Sequence, residues 1–377
     1  MSEKNTQWYE VRQSHNLGYR LMFFALRVFP APLMRLLAYA VGFFYWLFDK
    51  KTRRVSRLYL SKVGKRSTLK HICSFAMNLV ENVQTWAGKF SVTDLNFRDD
   101  DVQDLLSHVK AKEGTLVIIS HLGNAQMMKG LAILGENGIE QKMEVTTISN
   151  ENISGGFNSM LSEVNPDSSI NHVSSDNIGP ETIFYLQEQL EKGNLVVIAG
   201  DRVSAHSDRT IEIDFLGEKA RFPYGVFLLI SLLNVPTYFI NGMRHKDICL
   251  NPKYDMCVKK NPLDFNCGRK EREERIRQTA RHYAENLEKL CKAHPYQWYN
   301  FLCYFLICSW RKNMARPKKN GTYLNVCIES TIYNRLVELC DDAGQTKTVA
   351  VERALLAYLD DYDEKREMLK KMDSQKG

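Results

Sequence analysis

A histidine follows an apolar run that has the composition of a buried strand. His121 comes directly after residues 116–120, Leu-Val-Ile-Ile-Ser, and Gly123 and Asn124 come next. A histidine between a strand and a helix lies at the edge where α/β proteins bind ligands. A neutral imidazole accepts a proton from a hydroxyl group near pH 7, and a glycine lets the backbone approach a substrate closely. His121 is therefore the candidate general base, with Gly123 and Asn124 as candidate substrate-binding residues; the alternative is a structural histidine.

Two charged residues follow a second apolar run of the same kind. Residues 196–199, Val-Val-Ile-Ala, precede Gly200, Asp201 and Arg202. Asp201 can balance the charge of an imidazolium, and Arg202 can bind a phosphate group through two hydrogen bonds. Arg202 is therefore the candidate anion-binding residue, and its alternative role is a salt bridge to Asp201 or Asp208 that closes a loop.

Further short motifs follow in a fixed order. They are Ile213-Asp214-Phe215-Leu216-Gly217-Glu218, Phe222-Pro223-Tyr224-Gly225 and His294-Pro295-Tyr296-Gln297-Trp298. With the two earlier motifs, this succession resembles the lysophospholipid acyltransferase superfamily, in its lipid A (lauroyl/myristoyl) acyltransferase-like branch, over about residues 8–305. The resemblance implies transfer of a fatty acyl group from acyl carrier protein or acyl-CoA to a hydroxyl of a lipid or glycolipid, without a metal or bound organic cofactor. It also implies that a Pro-started helix at Pro223 and Gly225 borders the substrate.

The sequence departs from the superfamily pattern at one position. The pattern is a histidine, four further residues and then Asp or Glu, whereas here that place is occupied by Gln126. A carboxylate there would orient the imidazole and stabilise the imidazolium, but a glutamine can only orient it. Either Asp201 supplies the missing charge, or the protein is slow or inactive. The residues expected at the catalytic centre are therefore His121, Gln126 and Asp201.

Alternating strand-like and helix-like segments must position these residues. The strand-like runs are 115–120, 144–149, 170–173, 195–199, 210–215 and 237–241, and the clearest helical segments are 180–192 and 224–233. This alternation predicts an α/β fold with a mainly parallel sheet flanked by helices. His121 and Asp201 would then both lie at the carboxyl ends of strands.

Composition sets broad limits on the protein. The chain has 377 residues, of which 44% are hydrophobic, so it can form one large domain and a smaller one. Its formal net charge of +7 is compatible with an anionic membrane surface or phosphate-bearing substrates but does not decide between them. The nine cysteines form no C-x-x-C pair, so neither a zinc site nor a redox motif is indicated. The first residues do not have the pattern of a cleavable signal peptide.

The N-terminal region is predicted to associate with a membrane. Residues 21–48 are strongly apolar, but Arg27, Pro30, Pro32 and Arg35 interrupt them. This pattern favours two short helices in one leaflet over a spanning helix. The basic side chains that follow, with no acidic residue between them, are Lys50, Lys51, Arg53, Arg54, Arg57, Lys62, Lys65, Arg66 and Lys70. Each can add about 1 kcal/mol of attraction to an anionic leaflet; the alternative is a buried helical hairpin with a solvated basic face.

A small module follows the main domain. Residues 311–322 are basic and turn-prone, as a linker would be, and residues 323–328 alternate as a half-buried strand does. Ser330 can cap a helix that runs to about residue 343, and Thr348 can cap a second helix that runs to about Tyr362.

This strand-helix-helix order resembles the ribbon-helix-helix family of small DNA-binding domains. The resemblance implies a homodimer in which Tyr323, Asn325 and Cys327 face bases and Thr348 meets a phosphate group. In that family the side chains that contact bases are more often Arg, Lys, Gln or Asn, so dimerisation is more strongly indicated than DNA binding.

The sequence therefore predicts a series of regions and two functional interpretations. The regions are a membrane-associated helical region (1–70), an acyltransferase domain (71–310), a basic linker (311–322), a ribbon-helix-helix-like module (323–366) and a charged tail (367–377). The first interpretation is an acyltransferase, peripheral or monotopic, at the cytoplasmic face of the cell membrane. The alternative is a DNA-binding or membrane-tethered regulator with a degenerate acyltransferase domain, an option that Gln126 keeps open.

Overall fold

A seven-stranded β-sheet with the strand order β1-β9-β8-β2-β5-β3-β4 lies at the centre of the computed structural model. The structure describes residues 29–86, 95–97, 101–124, 127, 144–149, 170–175, 178–203, 209–301, 326, 328–343 and 345–374. The chain divides into two compact units, residues 1–314 and 315–377, and the sheet belongs to the first.

Both faces of the sheet are covered, as expected for a mainly parallel sheet. The strands are β1 (Leu95–Phe97), β2 (Thr115–Ile119), β3 (Val145–Ser149), β4 (Ile170–Ser174), β5 (Leu195–Ala199), β6 (Thr210–Phe215), β7 (Glu218–Pro223), β8 (Thr237–Arg244) and β9 (Tyr254–Lys260). The helices of the first unit are α1 (Ala31–Phe48), α2 (Lys50–Lys62), α3 (Thr68–Trp86), α4 (Asp101–Lys110), α5 (Pro180–Glu191), α6 (Tyr224–Leu233) and α7 (Arg269–Ala293). Every described pairing within the sheet is parallel except that of β8 with β9.

Alternate residues of the central strands enter two separate cores. Leu116 and Ile118 of β2 pack with the cluster that contains α5, α6 and α7, whereas Val117 packs with the cluster that contains α4. A strand that is buried on both faces has little polar alternation, because successive side chains point to opposite faces. The predicted α/β class, with a mostly parallel sheet between helices, is confirmed.

One predicted strand does not belong to this sheet. β6 pairs with β7 as a separate antiparallel hairpin, in which Ile211 faces Phe222. Leu216 and Gly217 form the turn, both with positive φ angles. Placing β6 in the main sheet was therefore wrong, because its partner is its immediate neighbour in the sequence. Phe222 and Pro223 end β7, and the predicted helix begins only at Tyr224.

The described part of the N-terminal apolar segment holds one helix, α1; the prediction of two short helices also covers residues 21–28 and stays a prediction. α1 begins directly after Pro30, has Pro32 as its second residue and runs without a break through Arg35, since proline is well tolerated at the first helical positions. Asp49 ends α1 and caps α2, accepting hydrogen bonds from the amides of Lys51 and Thr52 at 2.9 and 3.0 Å. Residues 21–28 lie outside the described part of the chain. By length and composition, α1 would suffice to cross a membrane.

α1 has one buried face and one exposed apolar face. Its buried residues, Met34, Arg35, Ala38 and Gly42, recur at helical spacing. A Cβ at Gly42 would stand 2.9 Å from the Cα of Cys73 in α3, so the two helices are in close contact there. The exposed apolar side chains of α1 are Leu33, Leu36, Leu37, Tyr39, Val41, Phe43, Phe44, Tyr45, Leu47 and Phe48. We call this set the apolar face.

A buried charge network attaches α1 and α3 to the sheet. Arg244 at the end of β8 contacts both carboxylate oxygens of Glu81 at 3.1 and 3.2 Å. Arg35 lies 3.9 Å from the same carboxylate and donates to Gln84 at 2.7 Å. Burial alone would lower the pKa of Arg244, but Glu81 and Tyr299 raise it above its ordinary value. α3 crosses position 70, where the sequence placed a domain boundary. Arg35 is tolerated in an apolar helix because it packs against the polar side chains of α3.

The second unit contains two helices where the sequence predicted them, with different ends. They are α8 (Ser330–Asp342) and α9 (Lys347–Ser374). Glu329 rather than Ser330 precedes α8, and Thr346 rather than Thr348 caps α9, accepting from the amide of Val349 at 3.3 Å. α9 continues beyond Tyr362 because the charged residues that follow are mostly good helix formers. The predicted strand lies almost entirely outside the described residues.

Candidate active site

The register of the sheet brings His121 and Asp201 to the same height. β2 and β5 are adjacent and parallel, and Ile119 pairs with Ala199 at their carboxyl ends. His121 lies two residues after Ile119, and Asp201 lies two residues after Ala199. The sequence prediction placed both residues at carboxyl ends of strands, and the structure shows that these strands are neighbours.

The imidazole and the carboxylate form a directed pair. Nδ1 of His121 lies 2.7 Å from Oδ1 of Asp201, and the amide of His121 donates to Oδ2 at 2.9 Å. A carboxylate only accepts hydrogen bonds, so Nδ1 carries the ring proton and Nε2 keeps its lone pair. Nε2 has no hydrogen-bond partner among the described residues, and the side chain of His121 is 31% exposed, whereas that of Asp201 is fully buried. This is the arrangement of a general base with an orienting acid.

The local charges keep the imidazole neutral and the acid ionised. Burial, followed by the Arg202 guanidinium, lowers the pKa of His121, and Asp201 opposes this only in part. Burial would raise the pKa of Asp201, but His121 and Arg202 together hold it below its ordinary value. At neutral pH the pair therefore consists of a free base and a carboxylate that can stabilise the imidazolium. Gln126 lies outside the described residues, and the geometry favours the alternative in which Asp201 supplies the charge.

Arg202 is a half-buried cation next to this pair. Burial lowers the pKa of Arg202 to about 10 despite the attraction of Asp201, so the guanidinium is still charged at neutral pH. Its Nη2 donates to the carbonyl of Tyr299 at 3.3 Å. Within the described residues its Nε donor is buried without a partner, and the guanidinium forms no salt bridge. Asp208, one of the expected partners, lies outside those residues.

The backbone amides of the three described residues that directly follow His121 are engaged. The amide of Gly123 donates to the carbonyl of Gln297 at 2.8 Å, and that of Asn124 to the carbonyl of Gly242 at 2.7 Å. Leu122 donates to Oγ of Ser120 at 3.2 Å. These three amides are therefore not available to hold an oxyanion.

Gly123 is required by packing. Its φ angle is +70°, and a Cβ there would stand 2.2 Å from the carbonyl oxygen of Gly242. The close approach that glycine permits is thus to β8 rather than to a substrate. The buried side-chain amide of Asn124 lies 3.4 Å from Oγ1 of Thr85 in α3.

Two further predicted residues lie at the junction of β7 and α6. Pro223 is buried and precedes α6, and Gly225 is exposed in its first turn. In the described part of the chain, no hydrogen bond or ring contact links either residue to His121. Phe215 of the same hairpin packs against Trp298, with 5.5 Å between ring centroids. The hairpin thus reaches the site through a supporting aromatic ring.

The residues that sequence reasoning missed follow α7. Trp298 donates its indole N–H to Oδ2 of Asp201 at 3.0 Å, and Asn300 donates its side-chain amide to the carbonyl of Asp201 at 2.9 Å. The amide of Tyr299 donates to the carbonyl of His121 at 2.8 Å. From the sequence, Trp298 was named only as part of the last motif, and no role at the site was assigned to it. The spacing of these residues carries no signal of these contacts, because the segment meets the site only through the folding of α7 across the sheet.

The buried charge network extends to this same segment. Arg244 donates to Oη of Tyr299 at 2.6 Å, and its amide donates to the side chain of Gln297 at 2.9 Å. Residues 297–300 are therefore held between the charge network and the His121–Asp201 pair. The described residues contain no group of three or more His, Cys, Asp or Glu side chains that could hold a metal ion.

The remaining predicted site residues belong to the C-terminal unit. Tyr323, Asn325 and Cys327 lie outside the described residues, and Thr348 is the second residue of α9. Neither a scan against models of protein families nor a search of curated proteins found a match to this chain. The functional interpretation below rests on the geometry of the site and on the motifs.

Proposed function

We propose that the chain is a membrane-associated acyltransferase that moves a fatty acyl group from a thioester donor, acyl carrier protein or coenzyme A, to a hydroxyl of a lipid or glycolipid. The observation that carries this proposal is the His121–Asp201 pair, with Nε2 of His121 left open at the carboxyl edge of the sheet. The order of the sequence motifs adds the acyl-transfer chemistry to this general-base geometry.

The proposed reaction uses the pair in two proton transfers. Nε2 removes the proton of the acceptor hydroxyl as its oxygen attacks the thioester carbonyl, and Asp201 stabilises the imidazolium that forms. The tetrahedral intermediate then breaks its carbon–sulfur bond, and the imidazolium returns the proton to the departing thiolate. The products are an ester and a thiol. Arg202 is the proposed ligand for a phosphate group of a substrate, because its charge is retained and its Nε is unpartnered among the described residues.

The chemistry is tested with labelled donors and an acceptor lipid extract. Full-length protein in mixed micelles should transfer acyl groups from acyl carrier protein or from acyl-CoA, and His121→Ala should lower the rate by roughly 10²–10⁴-fold. His245→Ala is the matched control. His245 directly follows β8, is half exposed and lies outside the His121–Asp201 pair. Equal rates for the parent and His121→Ala would refute the proposal.

The apolar face of α1 and the basic side chains of α2 support attachment to a membrane. One face of α1 packs on α3, so lipid can contact only the other face, which favours a helix lying in one leaflet at the cytoplasmic side. Lys50, Lys51, Arg54 and Arg57 are exposed directly after it and would face anionic headgroups.

Membrane attachment is tested by flotation with vesicles. Removing residues 1–60 would also delete Tyr59 and Leu60 from the core, so point substitutions are the sharper test. Phe44→Glu with Phe48→Glu should release the protein from vesicles that contain phosphatidylglycerol. Phe184→Glu is the control, because Phe184 is equally exposed on α5. If the parent protein stays in the soluble fraction and does not float with the vesicles, attachment to the membrane is excluded.

The C-terminal unit supports a homodimer. Its exposed apolar side chains include Ile332, Leu339, Leu355, Leu356 and Leu359, whereas Cys340 and Ala350 are its buried apolar residues among those described. Two helices alone cannot bury so much apolar surface, which is consistent with a ribbon-helix-helix-like dimerisation module.

The dimer is tested by light scattering of the full chain in detergent. Leu355→Glu with Leu359→Glu should reduce the measured mass of the particle's protein part from that of a dimer to that of a monomer. Leu250→Glu on the first unit should leave that mass unchanged. The alternative function, a DNA-binding regulator, requires a gel shift whose affinity falls steeply with salt and a loss of sequence preference in Asn325→Ala. A dimer that transfers acyl groups and retards no DNA would exclude that alternative.

A further inference from the structure

We propose that Trp298 is a positioning residue of the candidate active site, and that its indole N–H sets the orientation and basicity of the Asp201 carboxylate. The inference begins with the hydrogen bonds of that carboxylate. Oδ1 faces Nδ1 of His121 at 2.7 Å, while Oδ2 accepts from the amide of His121 at 2.9 Å and from Nε1 of Trp298 at 3.0 Å. Among the described residues, Trp298 is thus the donor to this carboxylate that does not belong to His121 itself.

Burial makes this donor effective. The side chain of Asp201 is fully buried and Trp298 is 1% exposed, so water cannot replace the indole N–H. A hydrogen bond to a buried charged group is stronger than one between neutral groups, and leaving the acceptor without it is costly. With Trp298 in place, Oδ2 is fixed and Oδ1 is directed at the imidazole.

Trp298 is itself held on several sides. Its ring meets Tyr59 with 4.9 Å between centroids and Phe215 with 5.5 Å, both edge to face. Its backbone forms an isolated antiparallel bridge with Leu122, the residue after His121, and its carbonyl accepts from Nε2 of His71 at 2.8 Å. The indole cannot turn away from Asp201 without disturbing α2, α3 and the β6–β7 hairpin together.

The chemical consequence concerns the proton affinity of the pair. A donor on Oδ2 withdraws negative charge from Asp201, so removing it makes the carboxylate a stronger acceptor for the Nδ1 proton of His121. The imidazolium is then more favoured, and the pKa of His121 rises toward neutrality. A phenylalanine at 298 would keep most of the packing and lose this effect, which separates positioning from packing.

The first test is spectroscopic and needs no substrate. In the full-length protein in micelles, the Nδ1 proton of His121 should give a proton NMR signal downfield of the amides that is absent in His121→Ala. Trp298→Phe should shift or broaden that signal. Trp46→Phe is the matched control. Trp46 lies on α1, and this substitution removes an indole N–H that donates to Oγ1 of Thr68 at 3.0 Å.

A second variant guards against a failure to fold. Incorporating 3-benzothienylalanine at position 298 keeps the two fused rings and replaces N–H by sulfur. It should move the Nδ1 signal in the same way as Trp298→Phe. An unchanged signal in the folded benzothienylalanine protein would overturn the inference and leave Trp298 as a packing residue.

Turnover provides an independent measurement, and this part rests on the proposed function. Trp298→Phe should lower the acyl-transfer rate by about tenfold, as expected for the loss of one hydrogen bond to a charged group, and should move the acidic limb of its pH profile upward. Trp46→Phe should leave that limb in place. If the parent transfers no acyl group while the NMR signal still responds to position 298, the proposed function fails and the positioning inference stands.

Discussion

Two histidines that are both linked to Trp298 have opposite tautomers. His121 at the sheet edge has a carboxylate on Nδ1, so that nitrogen is protonated and Nε2 is open. His71 in α3 lies 2.8 Å from the carbonyl of Trp298 through Nε2 and 2.9 Å from Oγ of Ser56 through Nδ1. A carbonyl only accepts, so in His71 it is Nε2 that carries the proton, and both nitrogens are occupied.

The comparison shows that burial and a shifted pKa do not identify a catalytic histidine. Burial lowers the pKa of both rings, and that of His71 falls to about 4. What distinguishes His121 is an ionised partner on one nitrogen and a free lone pair on the other, in a side chain that is only partly buried. His71 is 1% exposed and fully bonded, so it acts as a structural residue.

The largest expected effect comes from Asp201→Asn. Oδ2 of Asp201 receives two donors, so the asparagine carbonyl would take that place and its NH₂ group would face Nδ1 of His121. The imidazole would then be protonated on Nε2 and lose its basic lone pair. We expect the acyl-transfer rate to fall by roughly 10³–10⁴-fold. Circular dichroism should show a native fold, and a rate near that of the parent would break the distinction between the two histidines.

The second prediction concerns the pH dependence of stability at His71. In the unfolded chain its pKa is near 6.5, whereas in the folded protein it is about 4, so the unfolded state binds more protons between these values. Stability from this residue is present above pH 6.5 and decreases as the pH falls toward 4, by about 3 kcal/mol. Denaturant unfolding of the parent and His71→Gln at pH 7 and pH 4 measures it. A constant difference between the two proteins would contradict the prediction.

A smaller effect is expected from Ser56→Ala. Ser56 is fully buried, and its hydroxyl donates to Nδ1 of His71, so the substitution leaves a buried acceptor without its partner. We expect a loss of about 2 kcal/mol of unfolding free energy and no change in the pH profile of acyl transfer. A shift of that profile would show that the two histidines are coupled through Trp298.

The smallest effect is expected from Gln126→Glu. Asp201 already accepts from Nδ1 of His121, so a second carboxylate supplies nothing that the imidazolium lacks. The acyl-transfer rate of the variant should stay within about twofold of the parent, since the counter-charge is already present. A large increase in that rate would mean that Asp201 does not stabilise the imidazolium of His121 sufficiently. The acid that the superfamily pattern has at position 126 would then be the one that is missing.

The sequence by itself determined the local features of this protein. Continuous apolar runs predicted β2 and β5, because strands buried on both faces need no polar alternation. The residues that end those runs, His121, Asp201 and Arg202, were therefore recognised as site candidates. The helix at 224–233 was predicted at its observed bounds. One error was a choice of strand partner, the β6–β7 hairpin, and others concerned helix ends, such as the cap and the last residue of α9.

Only the tertiary structure decided which acid serves His121 and what holds that acid. The pairing of β2 with β5 is a long-range choice of register, and no spacing along the chain encodes it. Trp298 and Asn300 reach Asp201 from nearly a hundred residues away, and Arg35 becomes an anchor only when α3 brings Glu81 to Arg244. Apolar patterning specifies which residues are buried, but the partner of a buried polar group is set by how the buried faces pack together.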